Sequence, residues 1–202
     1  MNYTGLIKQL PVAVGFEAPG ELGYEDIVAR ALTRGDLADD VCGINASIEL
    51  IQRTRGGDWP TGPVTAEEDF VDLVWHECEF REHYWFSYAV YDAAGGYRGC
   101  CYLYPLGRRT PLSAQLAECD VDVSWWVTPD AYDRGYYAKL YAALGRWVAE
   151  QFPFDRVHYS NAEVPAGKAA GTVHPGGGPS SSDRRDRLAC VRRQHPIGLL
   201  HP

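Results

Sequence analysis

The segment from Asp120 to Leu144 constrains this chain most, because a strand pattern leads through a proline-containing turn directly into a helix pattern. The first part alternates apolar with polar residues, which is the period of a β-strand. The second part repeats apolar residues every three or four positions, which is the period of an amphipathic helix. The apolar positions are Val121, Val123, Trp125 and Val127, then Tyr137, Leu140, Tyr141, Leu144 and Val148. A strand that hands over to a helix N-terminus is typical of an anion site, since the N–H groups of the first turn lack intrahelical partners.

The length of 202 residues suits one well-buried domain. The N-terminus lacks a basic region ahead of a long apolar core, and no run is long enough to cross a membrane, so a cytoplasmic protein is expected. The six cysteines form no C-x-x-C pair. They are expected to be small buried residues in a reducing compartment.

The net charge of −8 is unevenly distributed, with −12 on residues 1–165 and +4 on residues 166–202. Binding DNA or RNA depends on neutralising phosphates, so an acidic body argues against a nucleic-acid partner. The basic stretch has no aromatic residue that would stack on bases.

The rest of the chain divides into recognisable elements. A strand is predicted for 27–33, followed by Asp36 at a helix N-cap and a helix ended by Gly56 and Gly57. Its apolar stripe is Leu37, Val41, Ile44, Ile48 and Ile51. The capping box Thr65-x-x-Glu68 predicts a second helix to about residue 83. Two aromatic-rich segments, 84–92 and 100–104, predict an antiparallel hairpin, and a last strand is predicted for 156–160.

These elements predict three regions: an irregular N-terminal extension over 1–26, an α/β (α+β) domain over 27–165, and a disordered tail over 166–202. The tail is rich in Gly, Pro and Arg and has no apolar period, so it cannot bury enough apolar surface to offset its ordering entropy. The domain is predicted to hold a mixed, mainly antiparallel sheet flanked by helices. Its final strand is reached by a helical crossover and should therefore lie parallel to the strand at 121–127.

In this order of elements, the segment around Pro129 resembles the GNAT family of acyl-CoA-dependent N-acyltransferases. Asp122 falls on the family's strand Glu, Pro129 on its Pro, Gly135 on the first Gly of its phosphate loop and Leu140 on its Leu. The chain departs from the family at Tyr132, which replaces Arg or Gln, and at Tyr137, which replaces the second Gly. The family's last helix and strands have no counterpart after 161, so the C-terminus is atypical.

The resemblance implies acetyl-CoA, or another acyl-CoA, as a cosubstrate held at the helix N-terminus, where glycines let backbone N–H groups approach the pyrophosphate. No metal is implied. The residues implied to hold the cosubstrate are Trp126, Val127, Arg134, Gly135, Tyr136, Tyr137 and Ala138.

The resemblance also implies an N-acyltransferase acting on a small-molecule or peptide amine, with Asp122 as the base that takes the amine proton and Asp120 as a second candidate. A partner chain that completes the sheet, as in a homodimer, is compatible with the atypical C-terminus. The altered loop and the lack of the family's general-acid tyrosine favour an alternative, a non-catalytic domain that binds CoA or a protein.

Three further groups have two interpretations each. His76, Glu79 and His83 share one helix face and suggest either metal ligands or a solvated face, the latter being favoured. Arg108 and Arg109 suggest either anion binding, with CoA phosphate or an acidic acceptor as the anion, or exposed surface charge. The aromatic residues Trp85, Tyr88, Trp125 and Trp126 suggest either an acceptor pocket or the core.

Overall fold

The computed structural model describes residues 8–166, in which a six-stranded sheet is flanked by four α-helices. The strands are β1 (Glu21–Tyr24), β2 (Ile27–Ala31), β3 (Phe86–Asp92), β4 (Tyr97–Tyr104), β5 (Val121–Val127) and β6 (Val157–Tyr159). The helices are α1 (Leu37–Arg55), α2 (Ala66–Arg81), α3 (Pro129–Asp133) and α4 (Tyr136–Gln151). The predicted tail, residue 166 excepted, and any strands after it lie outside the described residues.

The sheet confirms the predicted fold class. Its strands lie in sequence order, each antiparallel to the next except for β5 and β6, which are parallel as predicted. α4 connects these two strands, which is the helical crossover that parallel neighbours require.

The N-terminal region differs from its prediction as an irregular extension. β1 pairs with β2 from Glu21↔Arg30 to Tyr24↔Ile27, and Leu10 is buried in the core. The ordered domain therefore begins before residue 27. β1 is only four residues long, too short for its alternation to stand out in sequence.

Local signals fixed the helix ends. The Thr65–Glu68 capping box is present, and Gly56 ends α1 with a φ of 78°. Asp36 occupies the N-cap position of α1, but its side chain forms no capping bond to that helix. Its carboxylate instead accepts from the hydroxyl of Tyr91 and pairs with Arg30, because the turn brings it against the sheet.

The alternation of β5 divides two cores. Its odd-numbered residues face α4 in one cluster, whereas Trp126 packs with α1 and α2 in the other. Trp125, Trp126 and Tyr88 are fully buried, so the core interpretation of these three aromatic residues is confirmed. Cys100, Cys101 and Cys119 are buried as expected, but Cys42 is exposed, and the five cysteines within the described residues are free. Within 8–166, the helices are too short or too polar to cross a membrane.

Candidate active site

Strands β5 and β6 separate after a short parallel pairing. The register runs from Val121↔Val157 to Val123↔Tyr159, and the main chain continues it only as far as the bond from Ser160 N to Val123 O at 2.9 Å. Beyond this point no strand formed by residues 8–166 covers the edge of β5 that faces β6. The separation leaves a gap at Trp125.

The side chain of Asn161 fills this gap. Its Oδ1 accepts from the backbone N–H of Trp125 at 3.2 Å and from the hydroxyl of Ser124 at 2.9 Å. Its Nδ2 donates to the carbonyl of Trp125 at 2.8 Å and to the hydroxyl of Tyr137 at 2.7 Å. Because alternate residues of a strand present their peptide groups to the same edge, the backbone of Val127 continues this edge beyond Asn161.

The turn after β5 shapes a cleft at the start of α4. Pro129 begins α3, and Gly135 then adopts a left-handed conformation with a φ of 82°, which places it as the N-cap of α4 without a side-chain capping bond. The N–H groups of the first turn of α4 are thus left to other partners. A cleft of about 430 Å³ opens beside them. It is lined by Tyr132, Gly135, Tyr137, Ala138, Glu163, Val164 and Pro165.

The cleft contains three of the seven residues predicted to hold a cosubstrate: Gly135, Tyr137 and Ala138. Tyr136 instead donates its hydroxyl to Asp26, and Arg134 pairs with Asp130 on the surface. The side chains of Trp126 and Val127 are buried in the two cores, so these residues can contribute to the cleft only through their backbone.

Tyr137 and Tyr132, the two residues that depart from the GNAT motif, take different positions in this cleft. Tyr137 points inward, with its ring 5.2 Å from that of Trp125 and its hydroxyl donating to the carbonyl of Glu163 at 2.6 Å. Tyr132 is partly buried at the wall, where the guanidinium of Arg53 lies 5.2 Å from its ring. Arg53 also pairs with Glu163 of the cleft wall, since its Nε lies 3.4 Å from the Glu163 carboxylate, so its charge is balanced there.

The two predicted base candidates have different partners. Asp122 is fully buried, with its carboxylate 3.3 Å from Nδ1 of His158 and accepting from the N–H of Thr110 at 3.2 Å. Asp120 accepts from the N–H groups of Asp155 and Arg156, at 2.9 and 2.8 Å. Asp120 therefore holds the turn that precedes β6, whereas Asp122 is paired with a histidine on the neighbouring strand.

A second pocket, of about 330 Å³, lies on the other face of the sheet. It is lined by Arg55, Trp59, Asp72, His76, Trp85, Tyr102, Tyr104, Arg108 and Arg109. Arg55 ends α1 and donates to the hydroxyl of Ser124 at 2.8 Å. The hydroxyl of Ser124 in turn donates to Asn161, so the pocket reaches β5 at a residue that Asn161 also contacts. The surface-charge interpretation of Arg108 and Arg109 is therefore incomplete, because both side chains form pocket walls.

The solvated-face interpretation of α2 is wrong for His76, which is 8% exposed. Its Nδ1 accepts from Nε1 of Trp85 at 3.3 Å, and its Nε2 faces Asp72 at 3.3 Å. The hydrogen bond from His76 holds the pKa of Asp72 below its ordinary value. Within residues 8–166, no three His, Cys, Asp or Glu side chains are grouped so that they would hold a metal ion.

Sequence reasoning missed Asn161 as a bridge, Arg55 as a pocket residue, and Asp72. Arg55 lies in the last turn of α1, where a basic residue stabilises the helix C-terminus. Its presence there can be explained from the sequence without a pocket. Asn161 lies just beyond the strand predicted for 156–160. Its role depends on where two strands separate, which has no local signal.

The mainly antiparallel sheet, its parallel pair β5 and β6 and the flanking helices form a mixed α/β fold. Solved structures share it: a ribosomal L7/L12 α-N-protein acetyltransferase (RimL) in complex with coenzyme A, a ribosomal-protein-S5-alanine acetyltransferase from Vibrio fischeri, and a ribosomal-protein-serine acetyltransferase, described as putative, from Vibrio cholerae. The TM-scores are 0.54, 0.52 and 0.54, and the identities 12%, 12% and 10%. The matches cover 68%, 69% and 71% of this chain and 72%, 72% and 75% of those chains. The chain therefore has the GNAT acetyltransferase fold.

No protein-family model and no curated protein matches the sequence. The fold is therefore recognised from similarity of structure, because similarity of sequence is too low to show it.

Proposed function

We propose that this protein is an acyl-CoA-dependent N-acyltransferase that transfers an acetyl group to an amine. The observation that carries the proposal is the gap beside Trp125, flanked by the cleft at the start of α4 and by the arginine-rich pocket on the opposite face. Transfer requires a thioester and an amine to meet from separate binding sites, and this arrangement offers one site on each side of β5.

The cleft at α4 suits the diphosphate of CoA. The first turn of α4, which has no side-chain cap, supplies N–H donors and the positive end of a helix dipole. The edge of β5 at Val127 offers backbone groups to the amides of the pantetheine arm.

The amine would enter from the pocket side and attack the thioester carbonyl near Ser124 and Trp125. The amide bond would form as the C–S bond breaks, and CoA would leave as a thiolate. Asp122 is the proposed proton acceptor: its carboxylate is held by the N–H of Thr110, next to Arg109 of the pocket wall, and His158 lies at 3.3 Å. Since Asp122 itself is fully buried, the proton would reach it through a water molecule or through His158.

A second candidate function is a non-catalytic CoA-binding domain. It is favoured because the gap already has its hydrogen bonds: Asn161 bonds to both the N–H and the carbonyl of Trp125. In addition, the side chain of Tyr137 fills space that a glycine would leave open. Under this hypothesis the ligand binds at the surface of the cleft and its thioester does not reach β5.

Thermal-shift titration with acetyl-CoA and with CoA, followed by transfer of labelled acetyl groups to a panel of amines, separates these functions. A shift with turnover supports the transferase, and a shift without turnover supports the binding domain. The absence of a shift at millimolar CoA would contradict both.

A further inference from the structure

The walls of the pocket between α1, α2 and β4 carry three arginines and a single carboxylate, that of Asp72. In a protein whose net charge is −8, such a concentration of positive charge is a local exception. Cavities lined by one sign of charge concentrate ligands of the opposite sign.

None of the three guanidinium groups forms a salt bridge in the described part of the chain. Within residues 8–166, no carboxylate oxygen lies within 4.0 Å of Arg55, Arg108 or Arg109. The pocket carboxylate, Asp72, faces Nε2 of His76 instead. Burial, together with the neighbouring charge of Arg55, lowers the pKa of Arg109 below its ordinary value.

The buried arginines also keep hydrogen-bond donors in reserve. A guanidinium has five N–H donors. Arg55 is 7% exposed and uses its Nε on Ser124 and its Nη2 on Tyr104, at 2.8 and 3.0 Å. Arg109 uses its Nε on Ser160 and its Nη2 on the carbonyl of Arg55, at 3.1 and 2.6 Å. The Nη1 group of each therefore has no acceptor in the described part of the chain.

Aromatic rings lie close to two of these guanidinium groups. The Cζ of Arg55 lies 4.7 Å from the ring centre of Tyr102 and 5.2 Å from that of Trp59. The Cζ of Arg108 lies 4.6 Å from the ring centre of Trp85. Stacking uses the face of a guanidinium and leaves its N–H edge available, which is the geometry for bidentate recognition of a carboxylate or phosphate.

We propose that this pocket binds an anionic group, so that the acceptor of the transferase is an amine that also carries a carboxylate or a phosphate. The assignment of this anion as part of the acceptor rests on the proposed function. The anion site itself rests on the arginines and can be tested without acyl transfer.

Binding is measured on the full chain by tryptophan fluorescence at fixed ionic strength, because Trp59 and Trp85 line the pocket. The probes are benzoate and phenyl phosphate, with benzamide and benzylamine as neutral and cationic counterparts. We expect saturable binding of at least one anion, at least tenfold tighter than either counterpart. Equal or tighter binding of benzamide or benzylamine, or no saturable binding of either anion, would overturn the proposal. The stronger of the two anions identifies carboxylate or phosphate as the natural group.

The variant Arg109→Gln should weaken anion binding about tenfold. Arg108→Gln should also weaken it and tests the site without removing a side-chain hydrogen bond, since the Arg108 side chain makes none among the described residues. The control Arg146→Gln removes an exposed arginine paired with Glu150 on α4 and should leave the affinity unchanged. Equal affinities in all four proteins would place the anion elsewhere and overturn the proposal.

A separate arm compares acetyl transfer to phenylalanine, O-phosphoethanolamine, phenethylamine and spermidine. Higher kcat/KM for an acceptor with an anionic group supports the proposal. Preference for phenethylamine or spermidine would overturn it while upholding the transferase. No transfer to any amine would count against the proposed function, and the fluorescence titration would then decide the anion site alone.

Discussion

The side-chain amide of Asn161 forms with Trp125 the two hydrogen bonds that a neighbouring strand would form, donating to the carbonyl at 2.8 Å and accepting from the N–H at 3.2 Å. The side chain of Asn161 thus replaces a main-chain peptide group and extends the parallel pairing of β5 and β6 by one residue. Under the proposed function, it also occupies the point at which an acyl-CoA would approach β5. The proposed function therefore predicts that stability and ligand access are coupled at this residue.

We expect Asn161→Ala to lower the free energy of unfolding by about 2–4 kcal/mol, because it leaves buried peptide groups of Trp125 unpaired. Asn45 is a matched control, since it forms the same pair of bonds with Val64, at 2.9 and 2.8 Å, on the surface. Water can replace those bonds, so Asn45→Ala should cost about 1 kcal/mol or less. Urea unfolding measures both, and equal losses would show that the bonds to Trp125 are not specially protected.

Replacement of Gly135 tests the cleft at α4. Gly135 and Gly95 both have a φ of 82°, and a Cβ at either meets no atom within 4 Å. Gly135→Phe and Gly95→Phe should therefore cost similar stability, about 1–2 kcal/mol from the left-handed backbone. If the diphosphate binds at the start of α4, Gly135→Phe should weaken CoA binding at least tenfold, whereas Gly95→Phe should not. Isothermal titration measures the affinities, and an unchanged affinity for Gly135→Phe would remove CoA from this cleft.

Asp122→Asn tests the proposed proton acceptor. Turnover should fall about 100-fold or more, with CoA affinity nearly unchanged, because a general base acts in the chemical step. Asp120→Asn, two positions earlier, is the matched control and should keep its turnover. It should lose about 1 kcal/mol of stability, because the Asp120 carboxylate accepts from two N–H groups before β6. Equal turnover in Asp122→Asn and the unmodified protein would exclude Asp122 as the base.

Asp69, in the first turn of α2, predicts a pH dependence of stability. Burial, with repulsion from Asp40 and Asp72, raises its pKa to about 7, and its Oδ2 has no hydrogen-bond partner within the described residues. Because the folded-state pKa lies above the ordinary value, the stability that Asp69 contributes is complete below about pH 4 and is lost as the pH rises through 7.

The variant Asp69→Asn should therefore be more stable than the unmodified protein at pH 8, by about 1–3 kcal/mol, and should lose this advantage near pH 4. Glu67→Gln, an exposed change on the same helix, serves as the control and should show no such crossover. Thermal unfolding across this pH range measures the difference, and a constant offset between Asp69→Asn and the unmodified protein would contradict the pKa assignment.

Much of the architecture is determined by local sequence. The alternation of β5, the Thr65–Glu68 capping box and the glycines that end α1 each act within a few residues, so they predict elements directly. The parallel pairing of β5 with β6 also follows from sequence, because a helical crossover between strands requires it. β1 escaped prediction, since its pairing with β2 rather than its own pattern defines it.

The candidate site divides in the same way. Gly135 and Asp122 were predicted through the resemblance of the segment around Pro129 to the GNAT motif, and their roles in the site stay predictions. Asn161, Arg55 and Asp72 acquire their roles only in the folded chain, where a strand separation and the packing of α1 and α2 on the sheet bring residues distant in sequence together. The sequence by itself determined the strands from β2 to β6, the three long helices and their order. The tertiary structure decided which polar groups meet between them, because hydrogen bonding and burial depend on distances in space that no local pattern encodes.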